Sequence, residues 1–315
     1  MNYFYGPVPS RRLGFSLGVD LIPKKVCSFD CLYCQLVKTT KKIITRFTYV
    51  DEVGFKKELK EIIKKNPKID YITLSGSGEP TLHKNLNRII LAIKKITKTR
   101  FPVCVITNSS LLYRKNVRSE LKQADLIIPS LDAATCETFD RINRPHKSLS
   151  FKKIIDGLVS LRKEFKGEIW LEVMLVGGIN DSLEEAEKFK KIIQKIKPNK
   201  IQLNLPVRPS ETKISLPCPK RIKTIEKIIT GSRKVALSFC RKQRKISLDT
   251  KSEILKYLTR RPAGLSDLVN SLGMNSQQAV KFLKDLLKER VIKQYIYKRK
   301  KYFVIKALLY NNTSA

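Results

Sequence analysis

Several features that would narrow the function of this chain are scarce or missing. No apolar run of signal-peptide length opens it, and no stretch approaches the roughly 18 apolar residues that a membrane helix needs. A cytoplasmic protein with no membrane partner is expected. Its 13 glycines and 14 prolines in 315 residues are too few for a low-complexity or collagen-like chain, and a hydrophobic fraction of 42% is enough for a globular core. Only two histidines occur, His83 after a Gly-Glu-Pro turn and His146 after Pro145, and neither position suggests more than a surface or capping role. Acidic residues are few: 28 against 64 lysines and arginines leave a net charge of +36. Such a surplus favours a polyanionic partner, because each neutralised phosphate releases condensed counterions. A chain rich in lysine and isoleucine throughout, or an anionic small substrate, would account for the same number.

What is present is strongly patterned. Apolar strand-like runs at Phe15–Ile22, Tyr71–Leu74, Val103–Ile106, Leu126–Ile128, Ile169–Val176 and Ile201–Leu205 alternate with helical periodicity near 52–65, 82–96, 111–122, 150–165 and 182–197. Asp51, Thr81 and Asp181 are candidate caps. Strands apolar on both faces and separated by crossover helices predict a parallel sheet covered by helices, either open and doubly wound or a partial barrel. The character changes at RKQRKISLDT, which reads as a linker at 241–250 between a core domain at 1–240 and a small unit at 251–315. That unit reads as three helices and then two β-rich segments, VIKQYIY and KYFVI, around the basic turn Lys298–Lys301, a pattern resembling a winged helix.

Seven cysteines occur, and three stand within eight positions as Cys27, Cys31 and Cys34, in CSFDCLYC just past the first strand. In a reducing compartment such a cluster points to a metal or to catalysis before disulfides. An iron–sulfur cubane that only carries electrons takes four thiolates. Three leave one iron open, as a catalytic metal site requires. Two other readings stand beside this one: small buried cysteines on one helix face, and a zinc site completed by His83 or Cys104. Cys104 lies within a strand, and Cys136, Cys218 and Cys240 are scattered.

With Tyr33 just before its last cysteine, this motif resembles the fingerprint of the radical S-adenosylmethionine (SAM) superfamily. GPVPSRRLGFSLGVD, CSFDCLYCQ and SGSGEPTLH together resemble an iron–sulfur oxidoreductase group related to archaeal wyosine-tRNA synthases, over roughly residues 1–210. The resemblance implies an α/β partial (β/α)6 barrel, and the winged-helix-like unit read from the pattern of 251–315 would follow it. It also implies a 4Fe-4S cluster on the three cysteines, with SAM at the open iron and Tyr33 beside the cofactor. Reductive cleavage of SAM to methionine and a 5′-deoxyadenosyl radical would follow, fed by an electron donor such as flavodoxin or ferredoxin.

The remaining candidates fall at strand C-termini, where parallel α/β folds place ligands. Ser77, Gly78 and Glu79 match the superfamily's Gly-Gly-Glu turn for the SAM ammonium, with Ser77 in place of the first glycine. Asn108, Ser130 and Asp132 follow the third and fourth strands, and Asp132 resembles the position that bonds the SAM ribose; Asp also starts turns. Glu172 lies on the fifth strand, and Asn180 resembles an adenine-facing position or caps a helix. Gln202 and Asn204 share one face of the sixth strand and are candidates for the SAM or substrate pocket. Arg11 and Arg12 could clamp a phosphate or carboxylate. The preferred function is modification of tRNA or another nucleic acid. A peptide- or protein-modifying maturase and a redox-sensing nucleic-acid-binding protein are the alternatives.

Overall fold

The computed structural model describes residues 3–10, 12–36, 38–65, 67–210, 212, 214–230, 251–260, 262–298 and 300–306. Arg11, Cys240, Arg299, the expected linker at 241–250 and the stretch 307–315 lie outside the described residues.

Strands β1 (Phe4–Ser10) and β2 (Gly14–Val19) precede a two-residue pair, β3 (Val26–Cys27) and β4 (Lys41–Lys42). Then follow β5 (Tyr71–Leu74), β6 (Val103–Thr107), β7 (Leu126–Pro129), β8 (Glu168–Met174) and β9 (Lys200–Asn204). One seven-stranded sheet runs β1-β2-β5-β6-β7-β8-β9, with β1 antiparallel to β2 and every later pairing parallel. Its two end strands, β1 and β9, are not paired with each other among the described residues, so the barrel is partial. The connecting helices are α1 (Glu52–Lys64), α2 (Leu86–Thr97), α3 (Lys115–Leu121), α4 (Cys136–Asn143), α5 (Phe151–Glu164), α6 (Leu183–Ile196) and α7 (Pro219–Thr230).

The six expected strands are all present. Strand β1 was not expected, because Pro7 and Pro9 interrupt it; an edge strand tolerates proline, which has no N–H to give to a neighbour. Helices α4 and α7 were also missed. Helix α2 starts later than its periodicity suggests, because Pro80–Leu82 forms a separate 3-10 turn capped by Glu79, and Thr81 lies inside that turn. Asp51 does cap α1, whereas Ser182 rather than Asp181 caps α6.

The two faces of the sheet differ, which corrects the expectation of strands apolar on both. Ile72, Leu74, Val103, Val105, Leu171 and Val173 join the helices in one large core. On the opposite face Leu13, Cys104, Leu126 and Ile128 form a small apolar cluster toward the strand N-termini. A Ser16–Thr73 hydroxyl pair lies level with Cys104, and toward the C-termini that face turns polar, with Glu172 in register with Gln202.

Helices α8 (Lys251–Arg260), α9 (Leu265–Leu272) and α10 (Ser276–Lys288) are followed by an antiparallel hairpin, β10 (Ile292–Tyr297) and β11 (Lys300–Ile305). They have a core of their own, which includes Leu258, Leu268, Leu283 and Phe303. Val8 of β1 packs against that core, and the Tyr302 hydroxyl donates to the Val207 carbonyl at 3.3 Å.

One buried ion pair locks the start of α2. Arg46 donates to the Thr81 and His83 carbonyls at 2.8 and 2.7 Å and to both oxygens of Glu120, and Glu120 also accepts the Leu86 N–H at 2.8 Å. Removing one partner of such a pair strands a charge in a dry site. Glu120→Ala is therefore expected to cost about 3–5 kcal/mol, read as a lower urea midpoint. Beside this pair, burial and the Arg46 charge hold the His83 imidazole down to about 4, while its Nδ1 accepts the Tyr49 N–H at 3.1 Å. The unfolded chain protonates His83 below about pH 6.5 and the folded chain does not, so stability should fall as pH drops from 6.5 toward 4. A shallower fall in His83→Gln, measured by denaturation at each pH, checks the assignment.

Candidate functional site

The cysteine loop starts at β3, which pairs in parallel with the exposed dipeptide Lys41–Lys42. Its root is clasped by the Gly76-Ser77-Gly78 turn at the end of β5. The Lys25 N–H donates to the Ser77 carbonyl at 3.1 Å, and any Cβ at Gly78 would collide with the Val26 carbonyl. Gly78 is thus required by close backbone approach. The Ser77 hydroxyl and N–H both donate to Asp20, at 2.6 and 3.0 Å, so this side chain fixes the turn.

Glu79 is 2% exposed. Its Oε1 accepts from the Thr81 N–H at 3.0 Å and from the Thr81 and Thr107 hydroxyls at 2.6 Å each, and its Oε2 accepts the Asn108 N–H at 2.7 Å. Burial raises its carboxyl above the usual carboxylate range, against the pull of those hydrogen bonds. Asn108 then carries the link to the cysteines, donating from Nδ2 to Ser28 Oγ at 2.9 Å and to Cys27 Sγ at 3.5 Å.

Asp132, 4% exposed, is a second hub. Its Oδ2 accepts from the Tyr33 hydroxyl and from Asn143 Nδ2, the latter at 2.9 Å, while Oδ1 accepts the Met174 N–H at 3.0 Å. Asn143 also reaches Cys31 Sγ at 3.4 Å. A small cavity is lined by Asn108, Ser130, Asp132 and Asn143 together with the Phe29 and Phe139 rings. Asn180 is fully buried and used internally: Nδ2 donates to the Asp132 and Met174 carbonyls at 2.8 and 2.7 Å, and Oδ1 accepts the Val176 N–H at 2.7 Å. It fixes the turn that carries Asp132 and caps no helix.

Gln202 and Asn204 do share one face, as expected, and the Asn204 carbonyl accepts the Leu175 N–H at 2.8 Å. Arg12 is not an open clamp, since its guanidinium pairs with Glu172 and donates to Gln202 Oε1 at 3.2 Å.

Sequence positions 21–191 match the Radical SAM superfamily. The chain belongs to that superfamily. It is 40% identical over 299 residues to a protein named GTPase Obg of Brachyspira hyodysenteriae, matching 93% of this chain but only 43% of that longer protein. A UPF0026 protein of Methanocaldococcus jannaschii is 39% identical over 73% of this chain and 70% of its own length. The dual-specificity RNA methyltransferase RlmN of Lawsonia intracellularis is 29% identical over 64% of this chain and 58% of its own. Among solved structures, TYW1 with a lysine–pyruvate adduct bound superposes with a TM-score of 0.54 at 20% identity, covering 73% of this chain and 76% of that one. The radical SAM chain is therefore an enzyme, and its superfamily uses a 4Fe-4S cluster and SAM.

The cysteine loop fits such a cluster. Burial drives the Cys27 thiol up to about 12 and the Cys31 thiol well above its ordinary value, and neighbouring thiols and the Glu79 and Asp132 carboxylates add to the effect. Among the described residues the charges that act most on these thiols are negative, and a cationic iron core would favour their thiolates. A single zinc ion suits the site less well. Among the described residues no three His, Cys, Asp or Glu side chains close on one metal ion, His83 is engaged with Tyr49, and Cys104 lies in the apolar floor. A cubane gives each thiolate its own iron, so the sulfurs need not meet at one point.

Asn143 and Asp20 were missed in the sequence. Asn143 ends a short helix, α4, whose periodicity is too brief to read, and Asp20 resembles an ordinary turn residue after β2. Anaerobic reconstitution is expected to load about four iron per chain. Cys27→Ala, Cys31→Ala and Cys34→Ala should each lose that iron and the brown colour, measured by iron and sulfide content.

Proposed function

We propose that this radical SAM enzyme modifies RNA, with tRNA the favoured class, in the cytoplasm, and takes electrons from a small carrier such as flavodoxin or ferredoxin. The observation that carries the reading is the open face of α10. Gln277, Lys281, Lys284 and Lys288 recur at helical spacing and are all exposed, while Ala279, Leu283 and Leu286 turn into the core. Lys298, Lys300 and Lys301 at the hairpin turn are exposed as well.

Three helices followed by a hairpin, with 14 lysines and arginines against 4 acidic residues from Lys251 onward, support a winged-helix reading of 251–315. In that arrangement the third helix and the wing meet nucleic acid. Similarity to an RNA methyltransferase supports the same class of partner. No helix among the described residues is long and apolar enough to cross a membrane.

When bound, the cluster and SAM supply the hard chemistry, reductive cleavage to methionine and a 5′-deoxyadenosyl radical, and the protein binds and orients. On this reading Cys27, Cys31 and Cys34 hold the cluster. The SAM ammonium is met at Glu79, whose Oε2 accepts one hydrogen bond against three at Oε1. Asp132 accepts from the ribose hydroxyls. Tyr33 and Asn180 hold Asp132 and its turn in place. Asn108, Ser130 and Asn204 line the remainder, and the Arg12–Glu172–Gln202 group lies below them on the polar face of the sheet.

The test is incubation of reconstituted enzyme with SAM, dithionite and bulk tRNA, followed by nucleoside analysis. Formation of 5′-deoxyadenosine together with an altered nucleoside is expected. Changing Lys281, Lys284 and Lys288 to Gln should weaken tRNA binding by about tenfold or more and reduce the salt slope by roughly 2–3, with SAM cleavage intact. An unchanged affinity and slope, with no RNA co-purifying, would overturn the reading.

A further inference from the structure

Helix α4 ends at Asn143 because Arg144 adopts left-handed backbone, with φ 44°, and Pro145 cannot continue the helix. The carbonyls released there are taken by the cysteine loop. The Leu32 N–H donates to the Ile142 carbonyl at 2.9 Å and the Asp30 N–H to the Asn143 carbonyl at 3.0 Å. The loop is seated on this helix end, which brings the 3% exposed side chain of Asn143 against Cys31. Its Nδ2 carries two hydrogens, and they have two acceptors of different kinds: Asp132 Oδ2 at 2.9 Å and Cys31 Sγ at 3.4 Å.

We propose that Asn143 is a positioning residue that sets the reduction potential of the cluster through Cys31 and ties that potential to what binds at Asp132. The proposal rests on the assignment of the cluster to Cys27, Cys31 and Cys34. A reduced cluster places more negative charge on its thiolate sulfurs than an oxidised one does. An N–H aimed at such a sulfur favours the reduced form and raises the potential. A carboxylate nearby does the reverse, and the Asn143 amide stands between the Asp132 carboxylate and Cys31. Deleting it removes a donor and leaves an anion facing the sulfur, and both changes make reduction harder. The coupling to Asp132 follows from the shared amide: a ligand whose hydroxyls occupy that carboxylate draws charge away from the side that Asn143 bonds.

Asn108 gives an internal comparison. It touches Cys27 from the other side of the loop, but its amide is shared with Ser28 and its backbone is held by Glu79, with no link to Asp132. Its loss should alter the potential while leaving the Asn143–Asp132 hydrogen bond in place.

The test is an EPR-monitored titration of the full-length reconstituted protein with dithionite and mediators, one electron per cluster, without substrate and then with SAM. Asn143→Ala is expected to keep its iron and sulfide. Poised at the wild-type midpoint, it should show a reduced-to-oxidised ratio at least tenfold lower, about 59 mV for one electron. Asn143→Asp should shift further in the same direction. SAM should move the wild-type midpoint and move that of Asn143→Ala less. Unchanged midpoints in iron-loaded Asn143→Ala and Asn143→Asp would overturn the proposal, and equal SAM shifts would remove the tie to Asp132. If neither variant retains iron, Asn108→Ala labelled with [15N]asparagine decides: pulsed EPR must show one asparagine nitrogen coupled to the reduced cluster, and its absence overturns the proposal. A wild type that takes up no iron would instead overturn the cluster assignment itself.

Discussion

A carboxylate buried beside thiols is expensive, and the way this chain meets that cost at Glu79 organises the site. Two donors come from Thr81 in the next turn and two from the end of β6, Thr107 and Asn108. Unpaired, such a group would neutralise or unfold its surroundings; hydrogen-bonded, it ties adjacent strand ends together. Because Asn108 goes on to Ser28 and Cys27, the same network fixes where the cysteine loop leaves the sheet. Asp132 repeats the arrangement on the other side of the loop through Tyr33, Asn143 and Met174. The loop thus stands between two buried acids, each linked to one of its cysteines through an asparagine, Asn108 by its backbone N–H and side chain and Asn143 by its side-chain amide alone.

The sheet continues this polarity inward. Its helix-facing side is a continuous apolar core, whereas its inner side is closed at the N-terminal end by Cys104, Leu126 and Ile128 and becomes polar toward the C-terminal end. Arg12 comes from the turn after β1 to pair with Glu172 and Gln202 across β8 and β9. A polar inner face suits a ligand chamber better than a packed core, in which buried polar groups would have no one to serve.

The C-terminal unit contacts the barrel at β1 and at the segment after β9, through Val8 and Val207. Arg208, next in sequence to Val207, donates to Gln35 at 3.2 Å, and Gln35 follows Cys34. A short covalent and hydrogen-bonded path therefore runs from the hairpin residue Tyr302 to the cysteine loop.

The sequence by itself determined the chemistry class and the positions of the parallel strands, because both are written locally. Three cysteines at spacings of four and three residues, and β-runs such as Tyr71–Leu74, need no distant partner to be legible. The basic face of α10 was legible for the same reason, from lysines at helical spacing. What only the tertiary structure decided is which polar side chains are already committed to one another. Asn180 caps no helix and is bonded to the turn of Asp132; Arg12 looked like an anion clamp, and the carboxylate that meets it is Glu172, 160 residues away. Asn143 showed nothing in sequence, since its two acceptors lie 11 and 112 residues distant. Hydrogen-bond partners between strand ends depend on how the sheet curves and where a loop is seated, and no local period encodes either.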